Sequence, residues 1–218
     1  HRSLRRQRQM CIRDRYIKSG PSGAPTRGKT EALPTGKNFF SVDSRGLPTE
    51  SAWIVGCKSA TQILDLYKQE NGEDLKNIAI SVWATSTMRN GGEDICQILY
   101  LLGVQPIWDG PSRRVIDLEI IPLSILDRPR VDVTLRISGM FRDAFPQLVK
   151  LTSKAINLVS NLNENDIFNP LARALKEGDP INRIFGSAPG SYGAGLQELI
   201  SNSNWENIDD FGESFLNW

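Results

Sequence analysis

The apolar run from Ile78 to Trp83 stops abruptly in Ala84-Thr85-Ser86-Thr87-Met88-Arg89-Asn90-Gly91-Gly92-Glu93-Asp94. Such a run reads as a buried strand and the residues after it as a polar strand-to-helix turn. From Glu93 to Leu102, apolar side chains recur at Ile95, Ile98, Leu99 and Leu102, three and four apart. That spacing predicts a helix, and Gly103 ends it. Val104 to Trp108 reads as the next strand, closed by the Gly110-Pro111 turn. Val115 to Ile121 reads as an edge strand stopped by Pro122, and Val131 to Ile137 as the second strand of the core. Phe141 to Leu162 predicts one long helix, with Pro146 in an early turn where its missing N–H is tolerated. Upstream, Thr49 or Ser51 caps a helix over about residues 50 to 71. Its expected apolar face is Ala52, Val55, Ile63, Leu64 and Leu66, and Asn71-Gly72 stops it. Strands separated by helices predict an α/β fold, an open and mainly parallel sheet flanked by helices.

The flanks differ from this core. Residues 16 to 50 form an irregular Gly/Pro-rich segment with apolar anchors at Phe39, Phe40, Val42 and Leu47. It reads as a cover laid over the domain, with a linker as the alternative. Residues 51 to 165 are the α/β core. Residues 166 to 218 continue it as helical pieces broken by Pro170, Gly178-Asp179-Pro180 and the glycine-rich stretch Phe185 to Gly195. The net charge of +1 hides an asymmetry, because residues 1 to 15 carry six arginines and one aspartate while the rest nets −4. That leader has no apolar segment of a secretion signal, and it reads as adapter-derived sequence joined to a gene, outside the fold. It lacks the aromatic interleaving of a nucleic-acid arm. Cys11, Cys57 and Cys96 make no metal spacing and no even disulfide set, which points to a reducing, cytoplasmic setting. No apolar run is long enough to span a membrane.

The sole histidine is His1, so histidine-based zinc sites and Ser-His-Asp triads are excluded from the core. Carboxylates and arginines remain. Glu93 follows Gly91-Gly92, which permits close approach of a ligand, and it is a candidate base or transient metal-handling group. From composition alone, a favourable charge in the first turn of a helix is the default reading of Glu93 and Asp94. The stretch Arg136-Ile137-Ser138-Gly139-Met140-Phe141-Arg142-Asp143 repeats the design, with Asp143 as a second carboxylate. Arg89, Arg136 and Arg142 are candidate clamps for a ligand with several acidic groups, since a guanidinium matches a carboxylate as a planar fork. Thr85, Ser86 and Ser138 would add hydrogen bonds, and Arg113-Arg114 are further candidates. Trp83 and Trp108 end strands where a flat macrocycle could touch them, with core packing as the default. The glycines of residues 186 to 195 lack the Gly-Lys-Ser/Thr of a phosphate loop, so no nucleotide is expected on this chain.

These residues carry a resemblance. Gly20-Pro21-Ser22-Gly23-Ala24-Pro25-Thr26-Arg27-Gly28, Leu33 to Asp43, Thr85 to Asp94, Arg128 to Thr134, Ser138 to Pro146 and Arg183 to Gly195 occur in this order. Together they resemble the large-subunit family of cobaltochelatase and magnesium chelatase, over residues 16 to 205. Thr85-Ser86-Thr87-Met88-Arg89, Gly91-Gly92-Glu93 and Phe39-Phe40-Ser41-Val42-Asp43 look like the cobalt branch. The resemblance implies ATP-dependent insertion of Co2+ into hydrogenobyrinic acid a,c-diamide during aerobic cobalamin synthesis. It implies that ATP is hydrolysed by a separate AAA+ subunit and that a third subunit carries an adhesion domain. Glu93 matches the family glutamate at the helix start. The family's proteins are far longer, so this chain is expected to be an internal piece, inactive alone. Two alternatives stay open: a magnesium-chelatase subunit acting on protoporphyrin IX, and a non-catalytic tetrapyrrole-binding scaffold.

Overall fold

Apolar runs and register divide the strands into two sheets. The computed structural model describes residues 33–34, 42–193 and 195–217. Its strands are β1 (Asn77–Val82), β2 (Val104–Trp108), β3 (Val115–Ile120), β4 (Asp132–Ile137) and β5 (Ile184–Gly186). β1, β4 and β5 form a parallel sheet in the order β1-β4-β5. β4 is central and carries the buried Val133, Leu135 and Ile137. β2 does not join this sheet. It pairs antiparallel with β3, because the short turn after Trp108 cannot supply the dozen or more residues of a parallel crossover. That turn closes on Asp109, whose N–H donates to Arg114 O at 2.9 Å. β5 lies within the expected glycine-rich break, and its three residues are too few to show a period.

The helices are α1 (Glu50–Asn71), α2 (Ala84–Asn90), α3 (Glu93–Leu102), α4 (Leu123–Leu126), α5 (Gly139–Ala144), α6 (Pro146–Ser160), α7 (Pro170–Lys176), α8 (Leu196–Asn202) and α9 (Asp209–Asn217). Thr49 caps α1, its Oγ1 accepting from Ala52 N at 3.1 Å, and Gly72 ends the helix at φ 74°. The buried face of α1 differs from the expected one. Val55 and Leu66 are 46% and 55% exposed, while Ala52, Gly56 and Ala60 are buried. This stripe of small residues brings α1 close to α3. A Cβ on Gly56 would lie 2.6 Å from Cys96 Cβ and 2.8 Å from Gln97 N. Close backbone approach here replaces the bulk that a pattern of large apolar side chains would predict.

The expected single helix from Phe141 to Leu162 is two helices. Phe145 stands at φ −129°, ψ 49° between α5 and α6. Pro146 disfavours helical geometry in the residue before it, so the proline starts α6 at its first position and does not sit within a longer helix. α5 begins earlier than expected, because Ser138 Oγ accepts from Phe141 N at 3.2 Å as an N-cap. Residues from Ser44 onward form one compact unit, and the preceding unit is described only at residues 33–34 and 42–43. The leader of residues 1 to 15 and most of the irregular segment of residues 16 to 50 lie outside the described residues.

Arg130 lies at the base of β4 with no exposed surface. Its Nε donates to Glu164 Oε2 at 2.8 Å and its Nη2 to Glu164 Oε1 at 2.8 Å. The other donors reach Leu102 O, Gly103 O and Ile121 O at 3.1, 2.8 and 2.9 Å. Asn169 Nδ2 also donates to Glu164 Oε2 at 2.9 Å. Breaking a buried ion pair from one side strands the other charge. Arg130→Ala is therefore expected to lower stability by about 3–5 kcal/mol, read as a lower urea midpoint. The double change Arg130→Met with Glu164→Leu should recover most of the loss. A single-variant loss below about 1 kcal/mol would show that the pair does not hold this junction, since exposed pairs contribute that little.

Candidate functional site

Val82, Ile137 and Gly186 stand side by side at the carboxyl end of the parallel sheet. In open α/β sheets, ligands bind in the crevice outside these ends. The ladder runs one residue further, with Ser138 N donating to Val82 O at 3.0 Å. Three chain segments leave this edge: Trp83 with α2, Ser138 with α5, and the glycine-rich strap after Gly186.

The strap folds back over the start of α5. A Cβ on Gly139 would lie 2.3 Å from Ser191 O, so glycine is needed there for close approach. Ser187 Oγ donates to Ser191 O at 2.9 Å. Arg142 holds the strap through Nη1, which donates to Ser187 O at 2.5 Å and Ala188 O at 2.7 Å. Its Nε and Nη2 form a fork onto Asp143, at 2.7 and 2.9 Å. Tyr192 O–H donates to Asp143 Oδ2 at 2.8 Å. The hydrogen bonds from Arg142 and then Tyr192 hold the Asp143 carboxyl below its usual range, and Asp143 pushes the tyrosine phenol up. Asp143 is thus placed as an ionised tie for the strap and a weak base. Arg142 is placed as a brace between α5 and the strap.

Arg136, half-buried on β4, donates from Nη2 to Phe215 O at 3.0 Å, with its guanidinium 5.2 Å from the Phe215 ring centre. Beneath it is a cavity of about 10 Å³ lined by Ser81, Trp83, Arg136, Ser138, Ser187 and Phe215. Trp83 is 45% exposed. The segment after it is not a turn: residues Ala84–Asn90 fold as α2. Thr85 and Arg89 lie one helical turn apart on its exposed surface, and Ser86 is half-buried. Ser86 Oγ accepts from Asn90 Nδ2 at 3.4 Å.

Gly91 and Gly92 adopt φ 77° and 92°, a left-handed pair that joins α2 to α3. Asn90 Oδ1 caps the junction, accepting from Gly92 N at 2.9 Å and Glu93 N at 3.3 Å. The close approach expected of a ligand at these glycines is made by the chain itself. A Cβ on Gly92 would lie 3.1 Å from Pro48 Cα, and Thr49 N donates to Gly91 O at 3.0 Å. Trp108 anchors the same segment, donating from Nε1 to Pro48 O at 2.9 Å, and packs edge-on against Trp53. Trp108 therefore serves packing, while Trp83 keeps an exposed face. Arg113 and Arg114 lie in the β2–β3 connection.

Glu93 opens α3, half-buried. Burial, and then the neighbouring Asp94 charge, push its carboxyl up. It stands about two helical turns along the chain from Trp83, since α2 has seven residues. The sequence candidates thus fall into two places: Arg136, Ser138, Arg142 and Asp143 around the sheet end, and Glu93 at the far end of α2. Among the described residues, no group of three or more His, Cys, Asp or Glu could hold a metal ion. The thiols of Cys57 and Cys96 are poor nucleophiles, since burial pushes Cys57 up to about 11 and Cys96 further. A larger hollow of about 520 Å³ adjoins Asp74 and Asp127 to Pro129, just before β1 and β4. Its Lys68 is paired with Asp74 at 2.8 Å, and none of the sequence candidates lines it.

Sequence reasoning missed Ser81, Ser187, Tyr192 and Phe215 as neighbours of these candidates. Only the glycine pattern after Phe185 signalled a close-packed strap. The raised Glu93 carboxyl gives a signed test. Ionisation is disfavoured in the folded protein, so the penalty is absent below the ordinary glutamate range and complete above the raised value. Glu93→Gln is expected to raise the urea midpoint at neutral pH and to leave it unchanged in acid below that range. A lower midpoint at neutral pH would mean that the carboxylate makes a stabilising contact.

Residues 10–218 match the family described as CobN/Magnesium Chelatase. The chain is 48% identical over 224 residues to the aerobic cobaltochelatase subunit CobN of Pseudomonas aeruginosa, covering 95% of this chain and 18% of that protein. It is 32% identical over 210 residues to a magnesium-chelatase subunit of Chlorobaculum parvum, covering 92% and 16%. A solved structure, the catalytic subunit of cobaltochelatase from Mycobacterium tuberculosis, matches with a TM-score of 0.79 and 45% identity, over 93% of this chain and 18% of that one. The chain thus spans less than a fifth of the length of these relatives. With this match running from residue 10 through the sheet-end motifs to residue 218, the chain belongs to the CobN/Magnesium Chelatase family.

Proposed function

We propose that this chain is part of the tetrapyrrole-binding, catalytic subunit of an ATP-dependent cobaltochelatase. The substrate would be hydrogenobyrinic acid a,c-diamide, receiving Co2+ in aerobic cobalamin synthesis. The observation that carries this reading is 48% identity to a cobaltochelatase subunit across nearly the whole chain, against 32% to a magnesium-chelatase subunit. The site chemistry supports it. A carboxylated macrocycle needs cations at its rim, and Arg89 and Arg136 bear them on the α2 and β4 segments. The exposed face of Trp83 offers stacking, and Thr85, Ser86 and Ser138 offer hydrogen bonds.

Metal entry requires that the ring nitrogens lose protons and the cation lose water. Glu93, with its carboxyl pushed up by burial, is a stronger base than an ordinary glutamate and would accept a proton or escort the cation. Cobalt is substrate in this scheme. ATP hydrolysis belongs to a partner AAA+ subunit, and the third subunit carries the adhesion domain. Among the described residues no helix is long and apolar enough to cross a membrane, which is compatible with the cytoplasmic setting proposed here.

Two expectations follow for the full-length subunit assayed with its partners. Glu93→Gln should lower cobalt insertion about a hundredfold or more while tetrapyrrole affinity stays within a few-fold, the size of a lost acid–base step. Insertion at the normal rate would remove Glu93 from the chemistry and leave a binding module. In a competition between hydrogenobyrinic acid a,c-diamide and protoporphyrin IX, followed by tryptophan quenching, the corrinoid should win. Preference for the porphyrin would move the chain to the magnesium reaction.

A further inference from the structure

Arg136 is the last residue but one of the central strand of the sheet, where an acidic ligand would be clamped, yet its guanidinium is already engaged. α9 gives it a carbonyl oxygen, from Phe215 at 3.0 Å, and an aromatic face, from the same residue at 5.2 Å. These are the two features that a carboxylated, conjugated macrocycle offers an arginine: an oxygen acceptor and a π surface. Phe215 also lines the cavity shared with Ser81, Trp83, Ser138 and Ser187. The remaining 10 Å³ is about the room of a single water, far short of a macrocycle.

The helix that supplies this plug is lightly held. α9 has no buried residue, and Leu216 is 79% exposed. Ser214 Oγ donates to Gly195 O at 2.9 Å, and Trp205 packs on Phe211 at 5.2 Å, both contacts made within residues 195 to 217. These two contacts tie α9 to residues 195 and 205, and not to α3 or α6. Departure of α9 would free Arg136 and leave the strap braced by Arg142.

We propose that α9 is a built-in competitor for the tetrapyrrole site, with Phe215 holding the place of an acidic macrocycle on Arg136 until ligand displaces it. This rests on the tetrapyrrole-binding reading of the sheet end. Binding and α9 docking would then exclude each other, and the apparent affinity would fall by the fraction of time the plug is closed.

The test titrates hydrogenobyrinic acid a,c-diamide into the full-length subunit that contains this chain, its Phe215→Ala form, and Phe215→Ala with Arg136→Gln, following absorbance and tryptophan quenching. A second measurement follows hydrogen exchange over residues 209–217 of the unchanged subunit, with and without this ligand. A site open one-tenth of the time predicts about tenfold tighter binding for Phe215→Ala. The gain should vanish when Arg136 is also changed, and ligand should speed exchange in α9. Binding by the unchanged subunit with no gain in Phe215→Ala and no faster exchange in α9 would overturn the plug while leaving the tetrapyrrole site intact. Absence of binding in every folded form would overturn both. If Phe215 is only an ordinary partner for Arg136 at a helix end, the first of these negative results is the one obtained.

Discussion

A buried guanidinium is costly unless every donor is used, and Arg130 uses all of its own. Its bonds reach Glu164, the end of α3 at Leu102 and Gly103, and the end of the β2–β3 hairpin at Ile121. Its own backbone N–H donates to Phe168 O, which brings in the segment that leads to α7. Three stretches, residues 102–103, 121 and 164–168, therefore meet at this one residue. That junction fixes where β4 starts, and the strand's opposite end delivers Arg136 and Ser138 to the sheet edge. A Cβ on Gly103 would sit 2.3 Å from Arg130 Nη1, so the glycine that ends α3 also makes room for the charge.

Arg183 repeats the device at the other flank of β4, with a fork onto Asp132 and further bonds to Pro180 O and Asn182 O. Its ion pair sets the start of β4 against the approach to β5, and Leu135 N donates to Arg183 O. The candidate site is in this sense a product of electrostatic anchoring at the strand beginnings and of hydroxyl and guanidinium chemistry at the strand ends. The apolar middle, from Val133 to Ile137, keeps the two apart.

Much of this was legible in the residues. α3 followed from Ile95, Ile98, Leu99 and Leu102, all of which are fully buried, and β4 from the segment Val131 to Ile137 with its apolar Val131, Val133, Leu135 and Ile137. The α/β class and the placement of Glu93 at a helix start came from the same patterns. The break at Phe145 was legible in principle, since Pro146 constrains its predecessor, but the apolar spacing on both sides looks continuous. The α1 seam was not, because Ala52, Gly56 and Ala60 carry little hydrophobic signal and act by being small. Nor was the fate of Arg136 or Arg142. Their partners are carbonyls of Phe215, Ser187 and Ala188, and every residue type has a carbonyl. Sequence could mark these arginines as candidates for an anion, but not show that the chain itself engages them.

That anonymity of the acceptor has an evolutionary side. Arg128 donates to Tyr100 O, Leu101 O and Pro129 O, as Arg130 and Arg142 donate to other main-chain oxygens. A tether of this kind senses the path of the backbone and is blind to the side chains along it. Residues such as Ala188 or Leu101 are then free to drift, within their packing, with no loss of the tether. The arginines are not, because a lysine ammonium is a compact point charge without the planar fork that spreads donors over the same oxygens. Changing the side chain of an acceptor residue would leave such a tether in place, whereas changing the arginine would remove it.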